Sequence, residues 1–186
     1  MIFSARSRSK EEAEAFERNL KDRLEGFNLE IAPEKTRRME YGPYATQNAT
    51  RRGEKSPTFT FLGLTHYCGK TRNGHFKVKR HTSVKKFKAK LREYTGWIRK
   101  ARGIMPTGEL MRRAKSRIPG HLNYYAITDN YEACKKYYYW FTRITFKWLN
   151  RRSQCLSYSW KQFNQMLESV GWPKVKIKVN LCPFRT

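Results

Sequence analysis

The residues of this chain whose types and spacing could do chemistry are basic and aromatic. The stretch KKYYYWFTR, Lys135 to Arg143, sets aromatic rings between Lys and Arg side chains. Single-stranded and looped RNA is held by this combination: cations take the phosphates, and each base stacked on an exposed ring is worth about 1–3 kcal/mol. At about 100° per residue, Cys134, Tyr137, Tyr138, Phe141, Ile144, Thr145 and Trp148 share one arc of a helix and form its core stripe. Tyr139 and Phe146 fall on the other side with Lys135 and Arg143, which makes that side the candidate base-stacking face. Packing against another helix is the competing reading of Tyr139 and Phe146.

The charge distribution points the same way. The 186 residues carry 40 Lys/Arg against 15 Asp/Glu, a formal net charge of +25, yet 39% are hydrophobic and 15% aromatic. That is the composition of a folded protein with a positive exterior rather than of a disordered basic tail. The excess is one-sided: residues 1–69 hold 12 Lys/Arg and 10 Asp/Glu, whereas residues 70–186 hold 28 and 5. Such a surface repels itself and is offset by a polyanionic partner, whose counterions are released as its phosphates are neutralised. The candidate RNA-binding cations are Lys85, Lys86, Lys90, Arg92 and Lys100 on one helix, and Lys135, Arg143, Arg151 and Arg152 on another.

No apolar run is long enough for a membrane span, so no membrane partner is expected, and no signal pattern precedes the first helix. Cys68, Cys134, Cys155 and Cys182 lie far apart without a C-x-x-C pair, which argues against a zinc ribbon and for reduced thiols in a cytoplasmic or organellar protein. His66, Cys68 and His75 could be drawn together as metal ligands, but a hairpin explains them better.

The elements that must position these residues read as α+β: a small antiparallel sheet with one helix, followed by a helical bundle. MIFSARS looks like the inner half of a strand whose preceding element is missing. Ser9 and Glu12 form a capping box, and Ala13, Phe16, Leu20 and Leu24 give the following helix one buried stripe before Gly26. NLEI and RRMEY are short extended runs around the turn APEKT, and Gly42 to Pro57 is a long loop. TFTFLGLTHYC alternates as one strand, and RNGHFKVKR supplies an Asn-Gly hairpin turn and a second. Helical patterns then cover Thr82 to Gly103, with Val84, Phe87, Leu91, Tyr94, Ile98 and Ala101 as their stripe, Thr107 to Ala126 with a break at Pro119-Gly120, and Asn130 to Arg152. A last helix starts at Ser159 with Gln162 completing a capping box. KVKIKVNL alternates strictly, as a strand if it finds a partner and as an exposed arm otherwise.

Three segments, LEIAPEKTR (Leu29–Arg37), FTFLGLTHYCGKTRNGHFKVKR (Phe59–Arg80) and GHLNYYAITDN (Gly120–Asn130), resemble in order and spacing the C-terminal part of group II intron-encoded reverse transcriptases, the maturases. The resemblance runs over nearly the whole chain, from just after that family's Tyr-Ala-Asp-Asp turn to the end of its thumb, the maturase or X domain. It implies that residues 1–80 are the end of a polymerase palm, 81–170 the helical thumb and 171–186 a basic tail. Phe61, Leu62 and Gly63 match the primer grip, whose glycine lets backbone approach the primer strand closely; a plain hairpin is the competing reading. Lys35 stands where the family has a lysine able to protonate leaving pyrophosphate; a surface turn lysine is the competing reading, since the Pro-Glu-Lys turn needs no chemistry to explain it. The segment GHLNYY belongs to a thumb that binds intron RNA and the template–primer duplex.

The chain departs from the family where catalysis would lie. Polymerisation needs carboxylates holding two metal ions about 3.5–4 Å apart, and the aspartates here are Asp22, on an expected exposed helix face, and Asp129, at a helix start. The resemblance therefore implies a part that binds RNA to support splicing and reverse transcription without polymerase activity alone. It implies no cofactor in this chain, and magnesium only if an N-terminal reverse transcriptase piece supplies the catalytic half. The alternatives are a stand-alone RNA-binding splicing module and a non-specific basic DNA-binding protein.

Overall fold

The computed structural model describes residues 7–151 and 157–181. The strand expected at Met1 and the candidate cation Arg152 lie outside the described residues. The fold is α+β: six helices and a three-stranded antiparallel sheet among the described residues.

Helix α1 (Lys10–Glu25) begins at Ser9, whose Oγ accepts the Glu12 N–H at 3.2 Å, and ends at Gly26. Only half of the expected capping box forms, because the Glu12 carboxylate accepts from the Arg8 N–H instead (2.9 Å). The expected buried stripe is also corrected: no residue of α1 is buried, and Phe16 is 47% exposed. Its anchors are polar, with Arg38 reaching Glu14 at 2.9 Å and Glu17 at 3.1 Å. APEKT folds as a 3-10 turn, Pro33–Lys35, and the runs on either side of it pair with no strand among the described residues. The expected long loop holds helix α2 (Ala45–Arg51), seated by the buried methyls of Ala45 and Ala49 and followed by Arg52 pairing with Glu40 and Glu54.

The segment expected to be one strand is a hairpin. Strands β1 (Thr58–Phe61) and β2 (Leu64–Lys70) pair with Phe61 opposite Leu64, so Leu62 and Gly63 form a two-residue turn. Both have positive φ, 50° and 80°, the pair of values that matches the right-handed twist of the flanking strands. Strand β3 (Phe76–Thr82) pairs along all of β2. The connection at Asn73-Gly74 is longer than expected: the Gly74 N–H donates to the Thr71 carbonyl, Gly74 alone is left-handed, and the Thr71 N–H closes the loop on the His75 carbonyl.

The core sits between helices α3 (Val84–Ile104), α4 (Thr107–Tyr125), α5 (Tyr131–Leu149) and α6 (Trp160–Ser169). Tyr94, Ile98, Leu110, Ile118, Phe141 and Phe163 meet there with 3% exposure or less, each large apolar side chain contributing about 1.5–3 kcal/mol by burial. The expected break at Pro119-Gly120 is absent: α4 runs straight through it. An internal proline costs about 3 kcal/mol, but Pro119 points to solvent while Ile118, His121 and Leu122 are buried on the opposite side, so tertiary packing holds the helix together. Helix α6 has both halves of its capping box, Ser159 and Gln162, as the sequence implies.

The stripe expected on α5 is partly shifted. Cys134, Tyr137, Phe141 and Thr145 are buried, but Tyr138, Ile144 and Trp148 are only half-buried and Leu149 is fully buried in their place. The cause is α6, which covers the far end of α5: Phe146 stacks on Trp160 at 3.8 Å and meets Phe163 at 5.2 Å.

Side chains at the start of α5 lock the sheet to the bundle. Asn130 accepts the Thr82 N–H at 2.7 Å and donates to Thr82 Oγ1 and to the Tyr125 carbonyl, both at 2.8 Å. Asp129, its side chain 5% exposed, pairs with Lys77 at 2.7 Å and Arg80 at 3.6 Å. The alternating tail does find a partner, though a short one. Ile127 and Val179 form a parallel bridge, with the Lys178 N–H donating to the Ala126 carbonyl at 2.7 Å.

Candidate nucleic-acid interface

The Leu62-Gly63 turn leaves the sheet and seats on the bundle. The Gly63 carbonyl accepts from the Ser83 N–H at the start of α3 (2.9 Å), and the Leu62 carbonyl accepts from Tyr124 Oη at the end of α4 (2.7 Å). A Cβ at position 63 would lie 2.5 Å from Tyr125 Oη and 3.7 Å from the Lys86 stem, and the backbone there is left-handed. Glycine is required on both counts. Leu62 is held in the same strained region with its side chain 61% exposed.

Beside this turn, α3 and α4 part to leave a groove of about 520 Å³ floored by Tyr137 and Phe141 of α5. Lys90 and Arg117 stand on its two walls, and Gly120 opens one of them. Arg117 lies over the Trp97 ring at 4.2 Å, which fixes its guanidinium in place. His121 is stacked on Tyr137 at 3.6 Å and tilted against Tyr125 at 4.6 Å. Burial, helped by the charge on Lys90, pushes its pKa down to about 4, so the imidazole is neutral at pH 7. Its Nε2 has no hydrogen-bond partner among the described residues. Below it, Tyr94 bonds Thr145 at 2.6 Å and stacks on Phe141 at 3.5 Å, giving the floor a rigid support.

The electrostatics of this half follow from the shortage of acid. Glu93, Glu109, Asp129 and Glu132 are each engaged by a Lys or Arg within 3 Å. They are four of the five carboxylates of residues 70–186, so most of the 28 Lys/Arg have no acid available to neutralise them. Such a surface attracts phosphate backbones.

The residues singled out in the sequence divide among several places. Lys90 lines the groove, though paired with Glu93 at 2.9 Å, and Lys86 packs its stem beside Gly63. Lys85, Arg92 and Lys100 are exposed on α3 but do not line the groove. Tyr139 is 49% exposed, with Arg143 donating to its Oη at 2.7 Å and lying over its ring. Lys135 pairs with Glu132 and sits over Tyr131. Phe146 is a correction: its stack on Trp160 removes it from any base-stacking face. The guanidinium of Arg151 lies over Trp148. Phe61 is half-buried at the end of β1. Arg152 and the side chain of Lys35 lie outside the described residues.

Sequence reasoning missed Arg117, His121, Tyr124 and Tyr125 as a group. Their signal is helical spacing, since 117, 121, 124 and 125 recur at three and four residues, but the supposed break at Pro119-Gly120 divided it. Trp140, 49% exposed and edge-on to Tyr139, was missed as well.

The aspartates do not fit a two-metal centre: Asp22 is exposed on α1, and Asp129 is committed to Lys77 and Arg80. Among the described residues no group of three His, Cys, Asp or Glu side chains is placed to hold a metal ion, and no helix is long and apolar enough to cross a membrane. Set against family models, curated proteins and solved structures, the chain finds no match.

Proposed function

We propose that this chain is the RNA-holding C-terminal part of a group II intron reverse transcriptase/maturase, binding intron RNA and template–primer in support of splicing and reverse transcription. In this reading the polymerase carboxylates and their magnesium belong to a separate N-terminal piece, because the aspartates present are unsuited to the role. The observation that carries it is the Leu62-Gly63 turn. It falls in the segment that resembles the primer grip, its glycine is sterically required, and it is clamped by Ser83 and Tyr124, with Lys86 beside it, next to a groove lined by Lys90 and Arg117. A hairpin serving only to reverse a strand needs neither a strained exposed leucine nor a seat on a basic helical face. The one-sided charge of residues 70–186 and the exposed Tyr139–Arg143 pair support the same class of ligand.

Filter binding tests the reading at physiological salt, with a folded group II intron RNA set against a duplex DNA of matched length. The expected result is tighter binding to the folded RNA. Equal affinities would favour the non-specific DNA-binding protein, and absence of RNA binding would remove the proposal.

A further inference from the structure

The groove between α3 and α4 holds features that gripping a phosphate backbone does not use. Phosphates need cations at a surface, and Lys90 and Arg117 of the lining, with Lys86 beside the hairpin turn, meet that need. The rest of the lining is mostly rings, Tyr124 exposed, Tyr125 half-buried and His121, Tyr137 and Phe141 buried, with the Glu93 carboxylate beside Lys90. A helical core has no need of an open aromatic cleft of about 520 Å³, and this volume falls in the range of pockets that take a small ring system.

His121 gives the cleft a polar requirement. The residue is 7% exposed, packed face to face on Tyr137, and its Nε2 is shielded from solvent without a hydrogen-bond partner among the described residues. Buried polar atoms are nearly always satisfied, so an orphan of this kind in a pocket wall points to a missing ligand atom. Because burial keeps the ring neutral, that nitrogen suits the edge of an uncharged ring better than a phosphate. Arg117, which lies over Trp97 at 4.2 Å, is the cation of the lining suited to the phosphate attached to such a ring, since Lys90 is held by Glu93 at 2.9 Å. Gly120 lines the same cleft with nothing within 4 Å of where its Cβ would be, so the opening beside His121 is free of side chains.

Resting on the RNA-binding reading above, we propose that this groove seats one unpaired nucleobase splayed out of a bound RNA, its face against the rings of Tyr124 and Tyr125, its edge bonded to His121 and its phosphate on Arg117. The hairpin turn and the outer cations then track the backbone, while the groove selects for a bulge or loop over a continuous duplex.

Two RNA hairpins of the same stem test this, one carrying a single bulged 2-aminopurine nucleotide and the other lacking the bulge. The wild-type protein binds the bulged hairpin at least tenfold more tightly and changes the fluorescence of the 2-aminopurine as it stacks. Gly120→Leu fills the opening from an exposed helical position with open space around it, and so folds; it lowers that preference to near unity. His121→Phe keeps the ring on Tyr137 but removes the nitrogen, and weakens the preference in the same direction. Equal wild-type affinity for the two hairpins overturns the base seat while leaving the RNA reading intact, and so does a preference that survives both substitutions. Failure of the wild type to bind either hairpin overturns both readings.

Discussion

Burial holds the imidazole of His121 neutral at pH 7, with its pKa pushed down to about 4, well below the usual histidine range. The unfolded chain therefore takes up a proton that the folded chain refuses. Stability from this group is fully present above about pH 6.5 and is lost as pH falls toward 4, by up to about 3 kcal/mol. Thermal melts should show Tm falling across that window, and falling less in His121→Phe; identical pH profiles for the two proteins would assign the titration to other groups. A second buried charge behaves differently. Asp129 pairs with both Lys77 and Arg80 at the joint of sheet and bundle, so Asp129→Ala removes the acid that two half-buried cations share and costs about 3 kcal/mol. A urea midpoint shifted accordingly is expected, and an unchanged midpoint would show that the joint does not depend on this pair.

Among the elements, the β1–β2 turn carries the sharpest conflict between local preference and position. A leucine at φ 50° costs about 1–2 kcal/mol, and the exposed side chain of Leu62 recovers little of this through packing. Asparagine tolerates the same backbone. Leu62→Asn should raise stability by about 0.5–1 kcal/mol while weakening binding to a template–primer duplex; a variant that gains stability without losing affinity would make the turn a structural device only. The sequence made some elements plain and hid others, for a physical reason. Patterns of three and four residues locate α3, α5 and α6 because their buried faces are local properties of each helix. The Leu62-Gly63 turn was hidden because it lacks the Asn-Gly signal, and its conformation is imposed by Ser83 and Tyr124, distant in sequence. The groove was hidden for the same kind of reason: it exists only if α4 continues past Pro119, and that depends on the burial of Ile118, His121 and Leu122 against other helices. Helix α6, in covering the end of α5, likewise exchanged Trp148 for Leu149 in the core and took Phe146 out of the candidate binding face.

Over the whole molecule, the charge asymmetry visible in the sequence becomes a geometric fact. Four of the five acids of the basic half are held in ion pairs, while most of the cations around α3 and α4 face solvent. In the proposed reading this face neutralises RNA phosphates. Each phosphate contact contributes about 0.7–0.9 to the slope of log affinity against log salt, so the slope measures how many are made. The most direct test is that slope for a structured RNA, measured for the wild-type protein and for Lys86→Ala/Lys90→Ala/Arg117→Ala. The account predicts a steep wild-type slope that falls by about 2–3 in the triple variant. A wild-type slope near zero, or one that the three substitutions leave unchanged, would contradict it.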